Sequence, residues 1–325
     1  MRNAFVTGGF GFIGTNLSAS LADRGWNVFV VDLPAAMTEA KKQLFKDKGV
    51  RFRAISILDR ENLYGQMMLF EPDVIFHLAA IPRVPESVDN PFSPARTNVA
   101  GTVSVLECAR DVQAAGSKIR VVYSSSSSIY GGADILPTPE TAPANPKSPY
   151  ALQKWEGEEW CRMFSSVYGL DTVCLRYFNV IGPWSIYGGA YSTVLTAWIH
   201  SLLGRSKTRP YLEGDGLQSR DFCHVGNVVN ANILAGTCEN LTFSGNAFNV
   251  AQGQSHTLIQ VKQMLEKISG RQLDIEMRPP RIGDVRATQA DISQAMQILG
   301  YSPATDFESQ VAEMYEWSLA SGALL

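Results

Sequence analysis

The stretch Gly8-Gly9-Phe10-Gly11-Phe12-Ile13-Gly14 follows the apolar run Ala4-Phe5-Val6-Thr7 and leads into helical sequence from Leu17 to Arg24. A strand, a glycine-rich turn and a helix in that order narrow the fold more than any other feature of the chain. Glycines allow a tight turn and a close backbone approach to a pyrophosphate, and the helix start offers N–H donors and a positive dipole end. A second apolar run, Val28-Phe29-Val30-Val31, ends at Asp32, 18 residues beyond Gly14. An acid at this position accepts hydrogen bonds from ribose hydroxyls and repels a 2′-phosphate. Leu33-Pro34-Ala35-Ala36 follows with no Arg or Lys, so NAD is expected over NADP.

Further short apolar runs recur at 50–57, 73–78, 118–123, 172–177 and 247–250, with helical stretches at 95–115 and 150–168. Unalternating strands divided by helices predict an α/β fold: a Rossmann-type, doubly wound parallel sheet covered on both faces. Ligands of such sheets bind beyond the carboxyl ends of the strands. The pattern changes after Asn179. Residues 180–220 are rich in Gly, Pro, Trp and Tyr around a helical run at 191–204, and 255–306 holds a helix at 258–268 and Arg278-Pro279-Pro280-Arg281. The expected division is therefore discontinuous. Residues 1–178 with about 221–254 form the NAD-binding domain, and about 179–220 with 255–325 form a smaller α/β substrate lobe. The last helix is available to pack on the first domain.

The composition removes several classes of function. With 325 residues, 45% of them apolar, the chain can bury a sizeable core, and a net charge of −3 leaves no footprint for nucleic acid. No apolar run approaches the ~18 residues of a membrane span. The N-terminus lacks the pattern of a secretion signal. Five cysteines without a Cys-x-x-Cys pair read as reduced thiols of a cytoplasmic protein, and four histidines without ligand spacing predict no metal site.

Tyr150 and Lys154 stand four residues apart, behind a Ser148 cap and a Pro149 first-turn residue, so both side chains share one helix face. A lysine beside a phenol lowers the phenol pKa and prepares it as a general base. The preceding strand ends in Tyr123-Ser124-Ser125-Ser126-Ser127-Ser128-Ile129-Tyr130-Gly131, which puts hydroxyls at the carboxyl edge of the sheet.

With these motifs assembled, the chain resembles the extended short-chain dehydrogenase/reductases, and within them the UDP-hexose and UDP-N-acetylhexosamine 4-epimerases. The resemblance also rests on Phe76-His77-Leu78-Ala79-Ala80, Asn98-Val99-Ala100-Gly101, Arg176-Tyr177-Phe178-Asn179, Gly214-Asp215-Gly216, Ser219-Arg220-Asp221-Phe222 and Arg281-Ile282-Gly283-Asp284-Val285. It implies Tyr150 as catalytic base, Lys154 as the ligand of nicotinamide ribose and Ser126 as the hydroxyl that assists proton transfer. It further implies NAD contacts from Gly8, Gly11, Phe12, Ile13, Gly14, Asp32, Leu78, Ala79, Ala80, Asn98, Ser124 and Tyr177. Ser56-Ile57 replaces the Asp-Ile that many relatives carry at the adenine. For the sugar nucleotide it implies Val84, Ser126, Asn179, Ala190, Tyr191, Tyr211, Arg220, Arg281 and Thr288, with the arginines on the diphosphate, whose charge calls for forked donors. Relatives pair as homodimers through two helices each; those at 95–115 and from Tyr150 are the candidates.

The reaction implied is 4-epimerisation: oxidation at C4, rotation of the 4-keto sugar and return of the hydride to the other face. NAD stays tightly bound and is regenerated at each turnover. Dehydratase relatives carry an Asp-Glu pair where Ser127-Ser128 stand here, which argues against loss of water. Thr288 occupies a position where a large aromatic excludes N-acetyl groups in some relatives, and Gly188-Gly189-Ala190-Tyr191 looks like the N-acetylhexosamine branch. The expectation is UDP-GlcNAc/UDP-GalNAc, with UDP-glucose/UDP-galactose as further candidates. The alternatives are a UDP-glucuronate 4-epimerase or a 2-epimerase, then a 4,6-dehydratase or a non-catalytic NAD-binding protein.

Overall fold

The structure, a computed structural model, describes residues 1–188, 193–206, 208–239, 241–280, 285–304 and 306–322. The chain runs β1 (Asn3–Thr7), α1 (Phe12–Asp23), β2 (Asn27–Asp32), α2 (Glu39–Asp47), β3 (Arg51–Ala54), α3 (Arg60–Phe70) and β4 (Val74–His77). It continues through α4 (Val84–Asp89), α5 (Phe92–Ala95), a π-helical turn at Arg96–Ala100, α6 (Gly101–Ala114), β5 (Arg120–Ser126), α7 (Pro149–Tyr168) and β6 (Asp171–Tyr177). Then follow β7 (Asn179–Ile181), α8 (Val194–Leu202), β8 (Tyr211–Glu213), β9 (Ser219–His224) and α9 (Val225–Thr237). The last elements are β10 (Ser244–Val250), β11 (Ser255–Thr257), α10 (Leu258–Ser269), β12 (Glu276–Arg278) and α11 (Phe307–Ala320).

Seven strands form one sheet in the order β10-β6-β5-β4-β1-β2-β3, with every neighbouring pair parallel. Alternate residues of each strand feed opposite cores, as the pleat requires. Val6, Val30 and Phe76 face α1 and α9, whereas Phe5, Val31, Ile75 and Tyr123 face α3, α6 and α7. Burial of each such side chain contributes about 1.5–3 kcal/mol, enough to explain why the strands read as continuous apolar runs. The strand order reverses between β1 and β4, which opens a crevice at their carboxyl ends.

A second core gathers Ile181, Trp198, Phe222, Leu265, Val311 and Met314 from β7, α8, β9, α10 and α11. It accompanies a three-stranded sheet, β11-β9-β7, and the pair β12-β8. The closing helix α11 packs here, and Glu313 on it reaches His224 at the start of α9, 3.4 Å away.

Helix α7 is anchored to the sheet by a buried ion pair. Arg176 on β6 donates from Nε and Nη2 to the two oxygens of Glu158 (2.9 and 2.7 Å), and both residues are almost wholly buried. Arg176 also donates to the Tyr130 hydroxyl at 2.8 Å and to the Glu140 carbonyl at 2.9 Å. Replacing Arg176 by methionine would leave the Glu158 carboxylate buried without its cation. The expected cost is about 3–5 kcal/mol, seen as a lower urea midpoint, and a Glu158→Gln/Arg176→Met double replacement should recover part of it. A midpoint unchanged in Arg176→Met would show that the pair does not hold the helix.

Candidate active site

The glycine loop closes against the switch point of the sheet. Gly8 has φ +70°, and a Cβ on it would sit 2.6 Å from the Ala79 backbone nitrogen, so the turn after β1 and the segment after β4 touch main chain to main chain. Gly11 donates its N–H to the Gly8 carbonyl at 3.0 Å and caps α1, which starts at Phe12-Ile13, with Gly14 one residue on. Asp32 ends β2. Its carboxylate accepts the N–H groups of Phe10 (2.9 Å) and Leu33 (2.8 Å), while burial pushes its pKa up against their pull. A cradle too tight for a Cβ at Gly8, a helix start without a capping side chain and an acid at the second strand fit a dinucleotide.

The segment after β4 is shaped from behind. The Asn98 amide pairs with both backbone polar groups of Ile81 (2.8 and 3.0 Å) and with Gln153 (2.8 Å), which fixes Leu78-Ala79-Ala80 beside the loop. Beneath it lies a hydrogen-bond chain of buried groups. Thr7 Oγ1 meets His77 Nδ1 at 2.7 Å, His77 Nε2 meets Thr102 Oγ1 at 3.0 Å, and Thr102 donates to the Asn98 carbonyl. Because the Thr102 proton is committed, Nε2 carries the imidazole proton. Ser56 accepts the Leu58 N–H at 3.2 Å, Ile57 is buried beside α6, and the Tyr177 hydroxyl pairs with Asn232 and Ser124.

Ser148 caps α7 by accepting the Ala151 N–H, with Pro149 in the first turn, as the sequence predicts. The Ser87 hydroxyl accepts the Tyr150 N–H at 3.1 Å and donates to the carbonyl of Val84, so α4 is fixed to the start of α7. Ser126 Oγ accepts from both the Ser128 N–H (3.2 Å) and the Ser128 hydroxyl (2.9 Å), which directs its own proton to the Tyr150 oxygen. Sequence reading missed Ser128 in this role. Lys154 Nζ donates to the Ser124 carbonyl at 2.7 Å and lies 5.0 Å from the Tyr123 ring centroid. Burial lowers its pKa to about 8. The phenol departs from expectation: burial pushes Tyr150 up to about 12, opposed by the Ser126 hydrogen bond, because the lysine ammonium is turned to the Ser124 carbonyl.

Of the residues expected at the sugar nucleotide, Asn179, Arg220 and Thr288 come together. Asn179 Nδ2 reaches Thr288 Oγ1 at 3.4 Å, and Thr288 donates its N–H to the carbonyl of Ser219, next to Arg220. Tyr211 is exposed on β8 beneath the Arg278 guanidinium, 3.9 Å from its ring centroid. Ala190, Tyr191 and Arg281 lie outside the described residues. Two residues not foreseen complete the site. Asp221 is fully buried and accepts N–H groups from Gln252, Gly253 and Ala290 at 3.0–3.1 Å. Lys41, brought in by α2, donates to the Phe10 carbonyl at 2.6 Å. Among the described residues no group of His, Cys, Asp and Glu side chains could hold a metal ion, and no helix is long and apolar enough to cross a membrane.

Fold and site together define a dinucleotide-dependent enzyme of the Tyr-x-x-x-Lys kind. The family model for GDP-mannose 4,6 dehydratase matches residues 5–314. A UDP-glucose 4-epimerase of Mycolicibacterium smegmatis is 34% identical over 96% of this chain and 97% of that protein. Among solved structures, a UDP-N-acetylglucosamine 4-epimerase from Methanobrevibacter ruminantium M1, bound to UDP-N-acetylmuramic acid, is 30% identical with a TM-score of 0.89, covering 98% of this chain and 99% of that one. A UDP-glucuronic acid 4-epimerase from Bacillus cereus, bound to UDP-glucuronic acid and NAD, is 27% identical with a TM-score of 0.86 at the same coverage. This chain belongs to the extended short-chain dehydrogenase/reductase family, in its UDP-sugar epimerase group.

The His77 chain yields a pH dependence. Burial, reinforced by the Lys154 charge, lowers the imidazole from 6.5 to about 3. Between those values the unfolded chain binds a proton that the folded one does not, so stability is complete above pH 6.5 and falls as the pH drops toward 3, by up to about 1.4 kcal/mol per unit. His77→Gln should flatten that slope in urea titrations between pH 7 and 5. Identical slopes would refute the assignment.

Proposed function

We propose that the protein is an NAD-dependent UDP-sugar 4-epimerase whose preferred substrate pair is UDP-GlcNAc/UDP-GalNAc. The observation that carries this reading is the hydroxyl-only end of β5. Ser126 points its proton at Tyr150, and Ser127-Ser128 occupies the place where dehydratase relatives bear two carboxylates. The 4-epimerase relatives support the reaction, and the small Thr288 beside Asn179 supports room for an N-acetyl group. Glucuronate as substrate is the second reading, favoured by the Bacillus cereus relative.

NAD, when bound, supplies a reversible two-electron acceptor for the sugar C4 carbon. Gly8, Gly11, Gly14 and Asp32 would hold it, with Lys154 at its nicotinamide ribose. Tyr150 takes the proton of the sugar 4-hydroxyl with Ser126 in the relay, then returns it after the sugar has turned. Arg220 and Arg281 retain the diphosphate during that rotation, and Tyr211 with Val84 bounds the nucleotide and sugar. Residues 1–178 with about 221–254 act as the cofactor domain, and about 179–220 with 255–325 as the sugar lobe. The protein works in the cytoplasm as a homodimer through α6 and α7. Leu152, Trp160, Met163 and Val167 lie exposed along one face of α7, an apolar stripe that a partner helix would cover.

Purified protein without added cofactor should convert UDP-GlcNAc to its C4 epimer at unchanged mass, followed by proton NMR and mass spectrometry. UDP-glucuronate turnover alone would favour the second reading, and loss of a water mass would overturn epimerisation. Tyr150→Phe should lower turnover at least 10²-fold while NAD still binds. For assembly, light scattering should report a dimer, and Trp160→Glu with Met163→Lys should yield a monomer; a wild-type monomer would refute the pairing.

A further inference from the structure

Among the described residues, Lys41 is the strongly buried lysine near the cofactor loop that the proposed chemistry leaves without a role. It is 7% exposed, on the inner face of α2. Its Nζ donates to the Phe10 carbonyl at 2.6 Å, while Asp32 accepts the Phe10 N–H at 2.9 Å. Both polar atoms of one loop residue are thus held by a buried cation and a buried anion. Phe10 itself is locked by aromatic contacts to Phe45, one turn beyond Lys41 on α2, and to Phe52 on β3, with ring centroids 4.7 and 5.2 Å apart. An ammonium buried to this degree is costly unless its bonds are made, and a loose surface role would leave it in water. Its charge also acts directly on the Asp32 carboxylate.

We propose that Lys41 is a positioning and specificity-determining residue of the cofactor site: with Asp32 it clamps the two peptide groups that flank the Phe10 Cα, and its ammonium is the cation that would receive a ribose 2′-phosphate once the Asp32 carboxylate is gone. The inference rests on the NAD reading proposed for this site. In the native chain the Asp32 carboxylate offsets that charge and repels the phosphate. Clamping fixes the direction of the loop N–H groups, so it acts on dinucleotide retention before any chemistry. A latent cation next to the ribose acid explains how a site can prefer NAD without lacking positive charge.

The test measures NAD and NADP binding by calorimetry, and cofactor content after gel filtration by chromatography, on wild type, Lys41→Met, Asp32→Ser and the double variant. Wild type should bind NAD far more tightly than NADP; no NAD binding by wild type would refute the cofactor reading itself, a failure separate from any seen only in the variants. Lys41→Met should weaken NAD binding about tenfold or more and elute without cofactor. Asp32→Ser should gain about tenfold for NADP over wild type, and the double variant should lose that gain. A general loosening of the fold would weaken both dinucleotides in proportion and leave the NADP-to-NAD ratio unmoved. Should Lys41→Met fail to fold, Asp32→Ser/Lys41→Arg, which keeps the charge, must retain the NADP gain. Full NAD retention in folded Lys41→Met, or equal NADP affinity in the single and double Asp32→Ser variants, overturns the proposal.

Discussion

Along the seam between α7 and the end of β5, contacts from one face of the helix meet successive groups of the strand. The Tyr150 phenol pairs with Ser126, the Lys154 ammonium with the Ser124 carbonyl, and the Glu158 carboxylate with the Ser125 hydroxyl at 2.5 Å. Between them Gly157 lies so close to the sheet that a Cβ there would come 2.1 Å from the Tyr123 hydroxyl. Spacings of four residues keep these groups on one stripe of the helix. The seam therefore makes catalysis and packing a single problem. The buried Glu158–Arg176 pair lies two turns along the same stripe as Tyr150, so it ties the helix that carries the phenol to β6.

The parts of this arrangement that local chemistry governs were legible in the sequence. The inner strands β1, β2, β4, β5 and β6 are legible because both of their faces are buried, and the start of α7 because Ser148 and Pro149 are cap and first-turn residues by backbone chemistry alone. Glu158 could have been found too, one step further along the stripe of Tyr150 and Lys154. Lys41 could not. Leu33-Pro34-Ala35-Ala36, the residues adjacent to Asp32, carry no positive charge, whereas the cation arrives from α2, one element later, and only the packing of α2 on the loop brings it there. The three-residue strands β7, β8, β11 and β12 carry too little period to be read, and the π-helical turn around Asn98 has no pattern of its own.

Around the second core, order depends on a buried carboxyl group held by backbone donors. Asp221 is held by peptide N–H groups from the turn after β10 and from the segment that ends at Ala290, while its own N–H reaches Thr288 and its carbonyl faces Asn179. Burial pushes its pKa up to about 7, and those donors pull the other way. One carboxylate thus ties together the backbone beneath Arg220, Thr288 and Asn179. The three come from distant stretches of chain, and the family resemblance, not their spacing, is what singled them out in the sequence.

The energetics of the phenol show what the seam is for. Lifting Tyr150 to about 12 places its ionisation roughly 7 kcal/mol uphill at neutral pH. That gap remains although the Ser126 hydrogen bond already pulls the value down. Closing it calls for a cation, since a positive charge at about 4 Å contributes about 4 kcal/mol at an effective dielectric of 20; Lys154, one turn along the helix, stays mostly protonated at neutral pH with its pKa lowered to about 8, although its ammonium here donates to the Ser124 carbonyl. Burial thus separates the two groups by about four pKa units, with the phenol neutral and the ammonium charged at neutral pH. The strand end adds only hydroxyls, which can pass a proton but cannot hold a second charge. Such a site suits a reaction that removes and returns the proton of one hydroxyl while a hydride leaves and returns at its carbon, and it is poorly equipped for one that must also expel water from carbons further along the sugar.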